Sequence, residues 1–175
     1  MENNIIGTVL ITEDEIKARA KEIGEQISAD YAGEEVMLVG ILKGALPWMA
    51  DVMKHITLDC TIDFMACSSY GSSTKTTGVV KINKDLDSDI EGKNVIIVED
   101  IVDSGITLNY LETYLENRGP KSVKICSLLD KPSGRRCDIE ADYVGFVVGD
   151  LFIIGYGLDY DQKYRNLPYI SYLNE

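Results

Sequence analysis

Three carboxylates directly follow a short apolar run in the middle of this chain. The run is Val95–Val98, and after it come Glu99 and Asp100, with Asp103 three residues further on. Consecutive β-branched residues favour a strand that is buried on both faces, where an unpaired charge is costly. The fold does not need carboxylates at these positions, so their presence indicates a ligand that supplies hydrogen-bond donors or a cation.

The segment after the acids has the composition of an anion-binding turn. Gly105 permits a close backbone turn, and Ser104 and Thr107 add hydroxyl groups beside the first amides of a helix. Such a turn holds a phosphate monoester, while two adjacent carboxylates accept hydrogen bonds from a sugar diol, with Mg²⁺ nearby to neutralise charge. The spacing therefore predicts a ribose 5-phosphate site. The site is not a P-loop, because the chain has no GxxxxGK[ST] motif. The alternative to a ligand site is a strand that ends in a capping aspartate and surface acids.

The composition argues against several classes of function. The formal net charge is −12 and the isoelectric point is about 4.5, whereas binding to nucleic acid as the main partner needs a basic surface. Four cysteines without a CxxC pair and one histidine, His55, make a zinc site of Cys and His residues a poor candidate. No apolar run approaches the ~20 residues of a membrane span, and the first residues lack the pattern of a signal peptide. We expect a cytoplasmic protein without a membrane partner, folded as one domain over residues 1–175.

Predicted strands and helices alternate along the chain, which indicates an α/β fold around a mostly parallel sheet. Thr12 and Glu15 form a capping box for a first helix that should end near Gly33. The predicted strands span 34–42, 59–64, 79–82, 95–98, 122–130, 143–148 and 152–157, and two further helices begin near Pro47 and before Leu108.

The segment 68–78 contains only Ser, Thr, Gly, Lys and Tyr residues. A hairpin connection of this length is unusual, since such loops normally have about two to five residues. We predict a mobile lid over a binding site, with a plain hairpin connection as the alternative.

The central motif, Val95–Leu108, resembles the phosphoribosyl-pyrophosphate motif of the type I phosphoribosyltransferases. The rest of the chain resembles one branch of that family, the hypoxanthine (hypoxanthine-guanine) phosphoribosyltransferases, in the same order over nearly its whole length. The central motif alone indicates only the superfamily, whereas the combination is specific. The matching segments are ILKGALPWMADVM (41–53), SSYGSSTKTTG (68–78), SLLDKPSGRR (127–136), YVGFVV (143–148) and GYGLDYDQKYRNLPYI (155–170).

The resemblance implies both a fold and a reaction. The fold is an α/β domain with a central, mostly parallel sheet flanked by helices and a small base-binding hood. The reaction transfers 5-phosphoribosyl from phosphoribosyl pyrophosphate to N9 of a 6-oxopurine base and releases pyrophosphate, with Mg²⁺ as the cofactor. Members of the family form dimers and tetramers, so a homodimer or homotetramer is expected.

The resemblance also implies roles for individual residues. Asp103 stands where the family has a general acid/base near N7 of the base, and Ser69 and Tyr70 stand at the head of the lid. The residues implied to bind phosphate and ribose are Glu99, Asp100, Asp103, Ser104, Gly105, Ile106 and Thr107. Those implied to bind pyrophosphate are Lys43, Gly44 and Arg165, of which the first two stand in a loop that often contains a cis peptide. The base would be bound by Lys131, Phe152, Ile153 and Asp159, and the metal by Glu99, Asp100 and Asp159.

Two positions depart from the family pattern. Ile106 stands where lysine or glycine is common, but its amide still allows a phosphate contact. Leu151 stands where a polar residue is common, which leaves the preference among hypoxanthine, guanine and xanthine open. The alternative of a different class is a regulatory sensor of phosphoribosyl pyrophosphate that acts on nucleic acid. The acidic composition and the presence of Asp103, Lys131 and Arg165 disfavour it.

Overall fold

Apolar runs of the sequence form the inner strands of a six-stranded sheet. The computed structural model describes residues 6–69 and 80–174. The strands are β1 (Val36–Leu42), β2 (Cys60–Ser69), β3 (Val80–Lys84), β4 (Asn94–Val102), β5 (Ser122–Asp130), β6 (Tyr143–Val147), β7 (Ile153–Ile154) and β8 (Ser171–Tyr172). The large sheet has the order β3-β2-β1-β4-β5-β6, and only the β2–β3 pair is antiparallel. This confirms the predicted α/β fold around a mostly parallel sheet.

The helices of the described residues are α1 (Glu13–Asp30), α2 (Leu46–Met53) and α3 (Ile106–Glu116), with a short 3₁₀-helix at Pro132–Gly134. The predicted capping box is present at α1, where the Thr12 amide donates to the Glu15 carboxylate at 2.8 Å and the Glu15 amide donates to Thr12 Oγ1 at 3.3 Å. The helix ends at Asp30, and Gly33, with a φ of 84°, turns the chain towards β1. None of the described helices has the length and apolar character to cross a membrane.

The two faces of the sheet carry separate cores. On one face, α1 and α2 contribute Ile16, Ile23 and Trp48 to a cluster with the sheet. On the other face, α3 contributes Leu111 and Leu115 to a second cluster. Because α2 follows β1 on one face and α3 follows β4 on the other, the carboxyl ends of these neighbouring strands form a topological switch point. Open α/β sheets bind ligands at such points.

Strand β4 is longer than predicted and contains two of the three acids. The apolar run predicted a strand over 95–98, with Glu99 and Asp100 in the connection beyond it, whereas β4 continues to Val102. The reason is one-sided pairing. β1 pairs with β4 only as far as Val98, but β5 continues to pair with it through Val102. The two acids are therefore fixed to a strand, beyond the point where β1 stops pairing with it.

Strand β2 buries an aspartate and exposes an isoleucine. Asp59, Thr61 and Asp63 alternate with Cys60, Ile62 and Phe64, a pattern that predicts a half-buried strand with its apolar residues inward. Asp63 is 6% exposed and Ile62 is 47% exposed. The Asp63 carboxylate accepts hydrogen bonds from the amides of Phe64, Asp87 and Ser88 at 2.7, 2.9 and 3.0 Å. Burial alone would raise the pKa of this carboxyl, but the three backbone donors lower it below its ordinary value.

A second, two-stranded sheet forms the small hood that the family resemblance implied. The segment 152–157, predicted as a strand, forms only β7, because Gly155 and Tyr156 have φ angles of 95° and 48° and turn the chain. β7 pairs with β8, and a bridge between Ile11 and Ile170 joins the N-terminal segment to the same region. The hood (β7, β8 and the chain between them) is thus built from segments distant in sequence.

Removal of the Asp63 carboxylate should destabilise the fold. Asp63→Ala leaves three amide donors without their acceptor, at a cost of about 1–3 kcal/mol. Urea unfolding followed by circular dichroism measures this loss, and the exposed Asp59→Ala serves as the matched control, expected within about 0.5 kcal/mol of wild type.

Because the pKa of Asp63 is lowered from 3.8, its contribution to stability should be present above that pH and disappear as the pH falls further. Equal stability of Asp63→Ala and wild type would contradict this account.

Candidate active site

The carboxyl ends of β4 and β5 open into a cavity of about 240 Å³ beneath the hood. Asp100, Ile101 and Asp103 line it from β4 and the turn beyond, and Lys131 lines it from just after β5. The remainder comes from the hood and from the two residues before it, Leu151 and Phe152. Residues predicted for chemistry and residues predicted for base binding therefore share one cavity. Its lining consists of Asp100, Ile101, Asp103, Lys131, Leu151, Phe152, Ile153, Leu158 and Asp159.

A second cavity, of about 170 Å³, follows the predicted phosphate turn. Gly105 is the N-cap of α3, and its φ of 78° favours glycine. A Cβ at this position would also lie 2.4 Å from Ile139 Cγ2. The first amides of α3 have no acceptor within the helix; that of Ile106 donates to Ser104 Oγ at 3.4 Å, and those that follow are available to an anion. The cavity is lined by Glu99, Ile101, Val102, Asp103, Ser104, Gly105, Thr107 and Leu108.

Glu99 and Asp100 form an adjacent pair of carboxyl groups, in which Glu99 is 9% exposed and Asp100 is half-buried. Burial, followed by the charge of Asp100, raises the pKa of Glu99 well above its usual value, and burial raises that of Asp100 as well. A hydrogen bond from the Ile101 amide to Asp100, at 2.7 Å, opposes part of this shift. Bound hydroxyl donors or a cation would stabilise the charged forms, as the sequence pattern predicted.

The donor set of this pair fits Mg²⁺, because carboxylate oxygens are the protein ligands that this ion prefers. Within residues 6–69 and 80–174, no group of three or more His, Cys, Asp or Glu side chains is arranged to hold a metal. Glu99 and Asp100 would thus supply only part of a coordination shell, and oxygens of the substrate and of water would complete it.

The turn after β1 lies directly against Asp100. Its Leu42–Lys43 peptide bond is cis, as the resemblance implied for this loop. A Cβ on Gly44 would lie 1.7 Å from Asp100 Oδ2, and a Cβ on Gly157 would lie 2.2 Å from the Gly44 carbonyl oxygen. The two glycines therefore let β4, the turn after β1 and the hood stack in direct contact.

The two cations predicted to bind pyrophosphate converge on Gln162. Its Oε1 accepts from Lys43 Nζ at 3.1 Å and from Arg165 Nη2 at 3.4 Å. Arg165 also pairs with Asp159 at 2.8 Å and donates to the Gly157 carbonyl at 2.6 Å. The buried Nε of Arg165 has no partner among the described residues. This arrangement holds two positive charges close together, which suits a multiply charged anion.

The Asp159 carboxylate is already engaged at both oxygens. One oxygen pairs with Arg165 at 2.8 Å, and the other accepts from the Gln162 amide at 2.8 Å. Its predicted role as a metal ligand therefore requires the exchange of at least one of these contacts when a ligand binds.

The base side of the cavity combines a shielded ammonium group with an exposed aromatic ring. The Lys131 side chain is 13% exposed, and its Nζ lies 3.0 Å from the Asp150 carboxylate and 3.3 Å from the Leu151 carbonyl oxygen. Phe152 is 54% exposed and packs edge-to-face against Tyr160, with ring centroids 5.6 Å apart. Phe152 is thus not a core residue, and its ring is available for stacking on a planar base.

No sequence motif predicted a role for Gly134 or Arg135, which contact the Asp103 turn. A Cβ on Gly134 would lie 1.7 Å from Asp103 Oδ1. Arg135 Nη1 donates to the carbonyl oxygens of Val102 and Asp103 at 2.9 and 2.8 Å. The segment SLLDKPSGRR contains both residues, but a glycine followed by two arginines is also typical of an exposed turn. Only the folded chain distinguishes the two cases.

The predicted lid lies mostly outside the described residues. Ser69 is the last residue of β2. Tyr70 and the rest of the segment up to Gly78 fall outside the described ranges. The role of this segment stays a prediction.

Comparison with known proteins agrees with this geometry. A family model described as the phosphoribosyl transferase domain matches residues 11–161. A hypoxanthine-guanine phosphoribosyltransferase of Bacillus subtilis (strain 168) is 54% identical over 168 residues, which are 96% of this chain and 93% of that protein. The chain belongs to the phosphoribosyltransferase family, in its hypoxanthine-guanine branch.

Two further similarities support this assignment. The crystal structure of a hypoxanthine-guanine phosphoribosyltransferase from Bacillus anthracis, with a HEPES molecule in its active site, superposes with a TM-score of 0.93 at 49% identity. The aligned region covers 97% of this chain and 99% of the Bacillus anthracis chain. A Listeria innocua protein named bifunctional TilS/HprT is 53% identical over 98% of this chain, and the chain spans 26% of that protein. The family resemblance and the fold that it implied are confirmed.

Gly44→Ala should impair the site more than the fold. The added methyl group would lie 1.7 Å from Asp100 Oδ2, so the carboxylate or the turn must move. Turnover should fall at least about 10-fold, since a displacement of about 1 Å can cost about 10²-fold. Steady-state kinetics and thermal melting test this, with Gly149→Ala as the control because a Cβ there meets no described atom within 4 Å. Wild-type kinetics in Gly44→Ala would show that the close contact is not required.

Proposed function

We propose that this protein transfers the 5-phosphoribosyl group of phosphoribosyl pyrophosphate to N9 of hypoxanthine and of guanine. The products are inosine or guanosine monophosphate and pyrophosphate, as in purine salvage. The observation that carries the proposal is the adjacency of two cavities that share Asp103. One follows a phosphate-binding turn at Ser104–Thr107, and the other is lined by Lys131 and Phe152. The substrates therefore meet at the Asp103 side chain.

Asp103 is assigned the proton transfer. As N9 of the base forms its bond to C1′, the bond from C1′ to the pyrophosphate oxygen breaks, and pyrophosphate leaves with the bonding electrons. A base protonated at N7 would acquire positive charge during this step, and Asp103 accepts the N7 proton. In the reverse direction the protonated Asp103 returns it.

The base is held by three kinds of contact. Lys131 leaves the Leu151 carbonyl and donates to the 6-oxo group, and Phe152 stacks on the ring. The carbonyl groups of Ile153 and Asp159 face the 2-position, where hypoxanthine, guanine and xanthine differ. A guanine- or xanthine-preferring enzyme is the alternative within this reaction, and Leu151 at the cavity wall is the departure from the family that bears on it.

The sugar phosphate and pyrophosphate are held by the groups around β4. Glu99 and Asp100 accept hydrogen bonds from the ribose hydroxyls, and the turn amides hold the 5-phosphate. Lys43, the Gly44 amide and Arg165 bind pyrophosphate. Mg²⁺, when bound at the carboxylate pair, supplies positive charge that stabilises pyrophosphate as a leaving group. Closure of the lid headed by Ser69 and Tyr70 would keep water from C1′.

The proposal includes the domain organisation, the oligomeric state and the cellular location of the protein. Residues 1–175 act as one phosphoribosyltransferase domain, in a homodimer or homotetramer in the cytoplasm, without a nucleic-acid or membrane partner. The net charge of −12 supports the exclusion of nucleic acid. No observation favours a sensor of phosphoribosyl pyrophosphate as a second candidate function.

Purified protein should convert hypoxanthine and phosphoribosyl pyrophosphate to inosine monophosphate in the presence of Mg²⁺. The reaction is followed by absorbance, with guanine and xanthine assayed in parallel to rank kcat/KM. EDTA should abolish turnover and added Mg²⁺ should restore it. Turnover of xanthine alone would correct the base assignment, and no turnover of any of the three bases would defeat the proposed function.

Asp103→Asn should lower kcat by about 10²- to 10⁴-fold, the usual contribution of a general acid/base. Affinity for phosphoribosyl pyrophosphate, measured by titration calorimetry, should change much less, because amides and hydroxyls hold the phosphate. Glu99→Gln and Asp100→Asn should by contrast weaken ribose and metal binding as well as turnover. The exposed Asp59→Asn is the control and should retain wild-type kinetics. Lost affinity with an unchanged kcat in Asp103→Asn would make Asp103 an organiser of the turn.

A further inference from the structure

We infer that Arg135 is a positioning residue that sets the direction of the Asp103 side chain from behind the catalytic turn. The inference rests on the proposed function, since it concerns the residue assigned the proton transfer. Arg135 lies after the 3₁₀-helix, and its side chain is 17% exposed. It does not line the cavity that holds the base or the cavity that holds the phosphate.

The Arg135 guanidinium joins the ends of two neighbouring strands. One of its nitrogens donates to the Val102 and Asp103 carbonyl oxygens at 2.9 and 2.8 Å, and another pairs with the Asp130 carboxylate. Val102 and Asp130 are register partners at the last rung of the β4–β5 ladder. The planar guanidinium has several donors in a fixed fork, so two separate nitrogens reach the three acceptors, whereas an ammonium group has only one nitrogen and no fixed plane.

These contacts hold the two peptide planes that flank Asp103; the Val102 carbonyl accepts from the Lys131 amide as well, at 2.9 Å, so the Asp103 carbonyl is the one that depends most on Arg135. The carbonyl and the N–H of a trans peptide point in opposite directions. Binding of the Val102 and Asp103 carbonyls on the outer side therefore turns the amides of Asp103 and Ser104 away from Arg135. With both flanking planes held, the direction of the Asp103 Cα–Cβ bond is determined. Gly134 completes the arrangement, because a Cβ there would lie 1.7 Å from Asp103 Oδ1.

The next peptide plane is held without the Arg135 side chain. The Ser104 carbonyl accepts from the Arg136 amide at 2.9 Å, a contact that side-chain substitutions leave intact. Loss of the Arg135 guanidinium should thus affect Asp103 more than the amides that bind phosphate. The Arg136 side chain is exposed and has no hydrogen bond or ion pair within the described part of the chain, so Arg136→Gln is a matched control.

The test is a double-mutant cycle between Arg135→Gln and Asp103→Asn. Arg135→Gln should lower kcat about 10- to 100-fold at saturating substrates, with a much smaller change in KM for phosphoribosyl pyrophosphate. In the Asp103→Asn background the same substitution should change kcat by less than about 3-fold, because the group it positions is already inactive. Arg136→Gln should leave kcat unchanged, and thermal melts of all variants report any loss of folding.

Arg135→Lys provides a second variant if Arg135→Gln does not fold. Lysine keeps a positive charge that can pair with Asp130, but its single nitrogen cannot occupy the positions of both Nη1 and Nη2, so the carbonyl contacts should weaken. We therefore expect kcat to fall in the otherwise wild-type protein and to change little in Asp103→Asn. Equal fold-losses in both backgrounds, or a wild-type kcat in the folded Arg135 variants, would overturn the inference while the proposed function stands. Absence of turnover in the wild-type protein would overturn the proposed function and this inference with it.

Discussion

The burial of two adjacent carboxyl groups at the end of β4 is the constraint on which the site depends. Glu99 and Asp100 are fixed by the strand, and burial raises the pKa of both. A charge removed from water without a partner costs several kcal/mol, so this arrangement is unfavourable in the empty protein. Hydroxyl donors and a cation make the charged carboxylates favourable, because they replace the hydrogen bonds and the solvation that water gives to an exposed carboxylate. The electrostatic cost in the free protein thus favours the ligand that we propose for this site, which carries a diol and a metal ion.

The neighbouring segments are shaped by this pair. Gly44 leaves space for the Asp100 carboxylate, and Gly157 leaves space for the Gly44 carbonyl. The Tyr156 hydroxyl donates to Asp51 on α2, the helix that follows the Gly44 turn. The hood, the turn after β1 and β4 therefore form one stack, in which a shift of one layer displaces the next. This close contact explains how the turn and the hood, which contain little regular structure, keep a defined geometry against β4.

Each cation assigned to a substrate is held by an acceptor within the protein. Lys131 pairs with Asp150, Arg165 pairs with Asp159, and Lys43 donates to Gln162. A phosphate or an oxo group of a ligand can replace the internal acceptor, because one acceptor is then exchanged for another and no donor is left without a partner. The same contacts keep the side chains near their working positions. They also explain how a chain with a net charge of −12 binds an anionic substrate.

The sequence by itself determined the helices and inner strands, because hydrophobic periodicity and capping act over a few residues. It also predicted the turn before α3 that we propose binds phosphate, since Gly105 and the acids before it are contiguous. It did not determine that β4 runs on past Val98, because that depends on where β1 stops pairing. Nor did it determine that Asp63 is buried or that Arg135 supports the Asp103 turn, since each depends on donors and acceptors from distant segments. Contacts that join separate strand ends are decided only when the sheet has formed and brought them together.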